Sequence, residues 1–220
     1  MLPTFTNTQL LEKALTHRSA LNEKGSNSTE SNERLEFLGD AVLELVATEF
    51  LYSKFPNEPE GTLTAYRSAL VKTTSLATVA SKLGLGELLK LSKGEEATGG
   101  RSNPSLLADT LEAVIGAIYL DQGFAAATAF LEEHLFTSLD AILEHRLYKD
   151  PKSELQERVQ AKGLDTPNYQ VVSESGPDHN KEFKVSVYVG NSLAGSGFGK
   201  SKQQAQQAAA QEALQRYPEA

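Results

Sequence analysis

The sequence predicts an all-α region of about 147 residues, followed by a small α+β unit ordered α-β-β-β-α. Three observations predict this. Up to Leu147, apolar residues recur at steps of three and four, and strand patterns are nearly absent. After Tyr148-Lys-Asp-Pro151 the period switches to two. A segment marked by Ala205, Ala208, Ala209, Ala213 and Leu214 then returns to helical spacing. The expected boundaries are 1–147 for the helical domain, 148–151 for a short linker and 152–217 for the α+β domain.

In the first part, Asn7 is placed to cap a short helix through Leu15. The polar, Gly-containing stretch Asn22–Ser31 reads as a loop. A long helix follows, with Leu35, Leu38, Val42, Leu45, Val46 and Phe50 mostly at helical steps. The run Phe55-Pro-Asn-Glu-Pro-Glu-Gly61 breaks it. Leu63–Leu70 and Leu76–Leu83 read as two further helices. Gly84, Gly86 and the stretch Lys93–Asn103 bring turns. Pro104 suits the first turn of a helix running to about Leu120. A last amphipathic helix is expected over roughly Ala125–Leu147.

In the second part, Lys152–Lys162 is expected to be helical. Phe183, Val185, Val187 and Val189 alternate with Lys184, Ser186 and Tyr188, which reads as a strand with one buried face. Tyr169–Glu174 and Ser192–Gly197 are its expected partners.

The chain has 220 residues, 23% charged and 40% hydrophobic, which is ordinary for a globular protein. It has no Cys, so disulfides and thiolate metal sites are excluded. The start Met1-Leu-Pro-Thr-Phe-Thr lacks the basic and apolar regions of a signal peptide, and no apolar run nears the length of a membrane span. The expectation is a cytoplasmic protein with no membrane partner. A net charge of −8 argues at first sight against nucleic acid. The charge is uneven, however. Residues 1–150 carry 13 Lys+Arg against 21 Asp+Glu, whereas residues 151–220 carry 8 of each.

The acid excess includes two notable pairs. Glu36 and Asp40 lie at i,i+4, and Asp109 and Glu112 at i,i+3, so each pair shares one helix face. Glu36, Asp40 and Glu44 alone would fit a solvated acidic face. The second segment argues otherwise. Between Ser105 and Asp121 the only charges are Asp109 and Glu112, set among Leu106, Leu107, Leu111, Val114, Ile115, Ile118 and Tyr119. Acids in a helix of core composition are costly unless paired or bound to a cation. Gly39 and Gly116 sit in mid-helix, where close approach of another backbone would explain them. Oxygen-only ligands favour Mg²⁺ or Mn²⁺, and the four His show no zinc spacing. Such a site suits in-line hydrolysis of a phosphodiester. A glycosidase pair would explain neither four acids in two helices nor the second domain.

Asn32-Glu-Arg-Leu-Glu-Phe-Leu-Gly-Asp-Ala41 resembles the signature of ribonuclease III, the family of double-strand-specific RNA endonucleases. Leu107–Asp121 is similar to that family's second acidic segment. The resemblance implies an all-α nuclease domain followed by a double-stranded-RNA-binding domain. It makes Glu36, Asp40, Asp109 and Glu112 the catalytic metal ligands, Glu112 the most sensitive, and Glu33 and Glu60 accessory acids facing the RNA. Phe37 alone reads as core, whereas the matching Phe in the family enters a pocket on a second subunit. The resemblance thus implies a homodimer, with each subunit cutting one strand. The expected products carry 5′-phosphates and 3′-hydroxyls with a short 3′ overhang, and the expected substrates are precursor ribosomal RNA and structured messenger RNA. The alternative is a non-catalytic RNA-binding or ribosome-associated protein on the same two domains.

In the C-terminal part, Ser201 and Gln204 form a capping-box pattern flanked by Lys200 and Lys202, a ready phosphate site. Ser153, Gln156 and Gln160 line one helix face, and Pro177-Asp-His179 falls in a turn. By the resemblance, the helix face and His179 would meet successive minor grooves, with Lys200, Ser201 and Lys202 on the phosphates between. Recognition of 2′-hydroxyls disfavours a DNA nuclease. Gln203 and Gln206 stand where the family usually has Lys, which implies weaker binding and a shallower salt dependence.

Overall fold

Two long helices that cross at paired glycines organise the N-terminal part of the chain. The structure, a computed structural model, describes residues 1–22, 30–177 and 181–218. The chain divides into a unit Met1–Tyr148 and a unit Lys149–Ala220.

In the first unit, α1 (Thr8–Ala14) is capped by Asn7, whose Oδ1 accepts from Gln9 N at 3.1 Å. The central helices are α2 (Glu33–Lys54) and α7 (Pro104–Gln122). α2 buries Leu35, Val42, Leu43, Val46, Ala47 and Leu51. α7 buries almost every residue from Leu107 to Ile118, Asp109 and Glu112 being the half-buried exceptions. A Cβ on Gly39 would overlap the carbonyl oxygen of Glu112, and one on Gly116 would overlap that of Leu35. Hydrogen at both positions therefore sets the helix separation, and the glycine expectation is met by backbone contact.

α3 (Glu60–Val71), α4 (Thr73–Lys82), α8 (Phe124–His134) and α9 (Leu139–Glu144) complete one apolar core with α2 and α7. Among the described residues, no helix is long and apolar enough to cross a membrane.

Three sequence expectations need correction here. The stretch from Gly84 to Asn103 is not only turns, because it holds α5 (Leu85–Leu88), α6 (Lys93–Ala97) and a 3-10 turn at Gly100–Ser102. Arg101 braces it, with Nη1 donating to Gly86 O and Leu89 O, both at 2.9 Å, and Nε donating to Glu96 at 2.7 Å. No periodicity signals helices this short. The expected helix Ala125–Leu147 is broken by a 3-10 turn, Phe136–Ser138. Adjacent Leu135 and Phe136 are both buried, with the Phe136 ring stacked on Phe50 at 4.2 Å. Residues one apart on a straight helix point about 100° apart, so the turn lets both reach the core. Lastly, the expected loop Asn22–Ser31 begins inside a 3-10 helix, Arg18–Asn22, and residues 23–29 lie outside the described residues.

The second unit opens with α10 (Pro151–Ala161), capped by Asp150, whose Oδ1 accepts from Lys152 N and Ser153 N at 3.1 and 3.0 Å. Pro151, expected in the linker, is thus the first helical residue. β1 (Asn168–Ser175), β2 (Glu182–Val189) and β3 (Ser192–Gly199) form an antiparallel sheet in the order β1-β2-β3. Val185 pairs with Gly197 and Val187 with Gly195. α11 (Lys202–Leu214) lies against β3 so closely that a Cβ on Gly195 would be 2.6 Å from Ala209 O. Glycine at alternate strand positions and alanine every fourth helix position is one device for bringing helix and sheet together.

Candidate functional site

The glycine crossing determines which side chains meet. Glu36 lies one turn before Gly39 on α2, and Glu112 lies one turn before Gly116 on α7. The crossing sets these turns side by side. Carboxylate oxygens of Glu36, Asp109 and Glu112 all lie within 4.8 Å of one another. Asp40, the fourth expected ligand, is exposed and does not join these three. Its charge still acts on Glu112 more strongly than that of any other neighbouring group.

The acids either side on α2 have partners. Glu33 faces Arg18 at 3.5 Å and accepts from Ser31 Oγ at 2.7 Å, while Glu44 meets Arg67 at 2.9 Å. Glu36, Asp40, Asp109 and Glu112 form no ion pair among the described residues. The electrostatics reflect this. Burial raises the Glu112 carboxyl to about 7, helped by the charges of Asp40, Asp109, Glu36 and Glu44. Burial also raises Glu36, helped by Asp109, Glu33 and Asp40 and opposed by Arg18. Asp109 is raised by burial and opposed by His17. Three crowded hard-oxygen donors that resist ionisation together fit a hard divalent cation, which would relieve that repulsion. Glu60, in the first turn of α3, accepts from Thr64 Oγ1 at 3.0 Å and stays apart from the three.

His17 and Arg18 were not expected from the sequence. Both come from the segment after α1 and act on acids of α7 and α2. The separation from His17 to Asp109 is too long for any spacing rule to find. Phe37 is 80% exposed, so its reading as core is wrong for the single chain. Leu45 and Tyr52 are exposed on the same helix, at 58% and 73%.

In the second unit, Ser153, Gln156 and Gln160 are exposed along α10. Ser153 and Gln156 border one recess together with Gln203 and Gln207 of α11. Ser201 caps α11 by accepting from Gln204 N at 3.2 Å, and Gln204 Oε1 reaches back to Lys200 N at 3.0 Å. That is one residue earlier than the usual capping box. Lys200, Ser201 and Lys202 are exposed there, and Lys202 Nζ lies 5.8 Å from the Phe183 ring centre. Gln206 is committed, because its Oε1 accepts from Lys152 Nζ at 2.7 Å. His179 lies outside the described residues.

Comparison with known proteins extends these findings. A family described as Ribonuclease-III-like matches residues 7–139, and the Double-stranded RNA binding motif matches residues 151–217. Ribonuclease 3 of Bacillus licheniformis is 50% identical over 211 residues, spanning 96% of this chain and 84% of that protein. Ribonuclease 3 of Geobacillus kaustophilus is 50% identical over 213 residues, covering 96% and 86%. Among solved structures, the nuclease domain of ribonuclease III from Campylobacter jejuni, described for flexibility in a region involved in dimer formation, is 44% identical. It covers 61% of this chain and 90% of that one, with a TM-score of 0.56.

Proposed function

The chain belongs to the ribonuclease III family, and from that premise we propose that Glu36, Asp109 and Glu112, with Asp40 beside them, are its cutting centre. It is an endoribonuclease, a phosphodiester hydrolase acting on double-stranded RNA. The observation that carries the proposed centre is the meeting of three carboxylates, without ion-pair partners among the described residues, at a helix crossing built for close approach.

Glu36, Asp109 and Glu112 would hold Mg²⁺, with Mn²⁺ as a substitute. When bound, the cation supplies positive charge that polarises the phosphodiester and favours ionised water. The protein's own part is placement. Gly39 and Gly116 fix α2 against α7, so the three carboxylates arrive already assembled. The Glu112 carboxyl ionises near neutral pH and gives up its proton when a cation arrives. Water oxygen adds to phosphorus and releases a proton to solvent, the P–O3′ bond breaks, and the departing O3′ takes up a proton from solvent. The ends are a 5′-phosphate and a 3′-hydroxyl.

Two copies are the proposed working form. Phe37, Leu45 and Tyr52 give α2 an exposed apolar stripe, and a second copy would cover it. Each subunit cuts one strand of the duplex, leaving a short 3′ overhang. The second unit grips the duplex through Ser153, Gln156, Gln160, Lys200, Ser201 and Lys202, together with His179. Glu33 and Glu60 are proposed as accessory acids, and precursor ribosomal RNA and structured messenger RNA in the cytoplasm as the substrates.

Incubating the full chain with a perfect RNA duplex and Mg²⁺, then mapping both ends, tests this reading. Cuts with 5′-phosphates and a staggered 3′ end are expected. Tight duplex binding without cleavage under any divalent cation would support the non-catalytic alternative instead.

A further inference from the structure

A polar recess opens beside the acidic centre. Its lining includes His17, Arg18, Ser19, Leu21, Glu95 and Leu106, and its volume is about 570 Å³. Leu106 lies one turn before Asp109 on α7, so the recess adjoins the centre.

The segment forming it is held from two sides. Thr16 O accepts from Asn32 N at 2.8 Å, at the entrance to α2. On the other side, His17 N donates to Lys90 O at 3.1 Å, and Ser92 N donates to Ser19 Oγ at 3.0 Å. Ser19 N also donates to His17 Nδ1 at 3.3 Å. Ser19 Oγ lies 2.8 Å from the same Nδ1. Arg18 extends from this braced segment with its side chain 70% exposed, and its guanidinium is 3.5 Å from Glu33. Among the described residues this is its one ion-pair partner, a long contact that engages only part of its five-donor fork.

We infer that this recess receives a backbone phosphate of the RNA strand next to the phosphodiester that is cut, with Arg18 as the cation that holds it. The inference rests on the proposed cutting centre. A polyanion must approach a site lined by carboxylates. Arg18 supplies positive charge at its edge, and a planar guanidinium suits the paired oxygens of a phosphate. Glu33 steadies the guanidinium without engaging its full fork. Among the described lining residues Glu95 is the one acid, and it opposes such a ligand.

The test is steady-state cleavage of a duplex over a range of salt by wild type, R18Q, R18K and E95Q. R18Q should raise KM about 5- to 10-fold while leaving kcat within about twofold. It should also flatten the slope of log(kcat/KM) against log[salt] by about 0.9, the value of one phosphate contact. R18K should restore the slope, and E95Q should lower KM. A duplex carrying one methylphosphonate near the cut should be cleaved poorly by wild type and no worse by R18Q. Wild-type KM and slope in R18Q, or a loss confined to kcat, would overturn the inference. If wild type itself cuts no RNA duplex, the cutting centre fails first, which is a separate result.

Discussion

Replacing Glu112 by Gln should stabilise the metal-free protein, although it removes a carboxylate of the proposed cutting centre. Burial and four neighbouring acids raise this carboxyl from its ordinary 4.5 to about 7. Between those values the folded state holds a proton that the unfolded state has released. Stability therefore falls as pH rises from about 4.5 and reaches its floor above about 7. The rise corresponds to ~3 kcal/mol at 1.36 kcal/mol per tenfold. Solvent screening of a half-buried group reduces the expected effect to about 1–2 kcal/mol. Gln keeps the shape and removes the titration. With EDTA at pH 8, E112Q should melt about 3–6 °C above wild type. At pH 4.5 the two should coincide. Mg²⁺ should reverse the order at pH 8, because wild type gains the binding free energy and the variant gains less. Thermal unfolding across pH, with and without Mg²⁺, checks all three statements. An E112Q protein less stable than wild type at pH 8 without metal would refute the reasoning, since Glu112 would then be a structural carboxylate.

Mg²⁺ binding near pH 6.5 should release protons, because burial raises the Glu112 carboxyl to about 7; titration calorimetry in buffers of different ionisation enthalpy measures the number. Either G39A or G116A should cost about 3 kcal/mol or more, since the new methyl meets backbone that cannot yield; a loss under 1 kcal/mol in urea unfolding would contradict the close crossing. F37E should shift the mass in solution from dimer to monomer while the helix content stays unchanged. Q203K should steepen the salt dependence of duplex binding by about 0.9. Q206K should not, because it would replace the acceptor of Lys152 with a second cation.

Periodicity made the long elements legible. α2, α7 and the three strands carry apolar residues at the steps their geometry demands, and Asn7, Pro104 and Ser201 mark helix starts with local chemistry. Pairing acids at i,i+4 and i,i+3, with Gly39 three residues after Glu36 and Gly116 four after Glu112, pointed to two helices in close approach. The sequence could not say that Asp40 stands exposed outside the three acids that converge, because that depends on how α2 and α7 cross. Nor could it reveal His17 and Arg18 beside the centre, which long-range hydrogen bonds to Asn32 and Lys90 put in place. The broken helix at Phe136 is of the same kind. Its pattern is amphipathic throughout, and the break that buries both Leu135 and Phe136, the latter against Phe50, depends on tertiary packing.

The claim that Glu36, Asp109 and Glu112 form the cutting centre is tested most directly by single-turnover cleavage. A perfect RNA duplex, saturated with protein in Mg²⁺, is cut by wild type and by E112Q, with binding measured in parallel. The rate for E112Q should be at least about 100-fold lower, equivalent to roughly 3 kcal/mol, with unchanged duplex affinity. Cleavage by E112Q at the wild-type rate would contradict the claim.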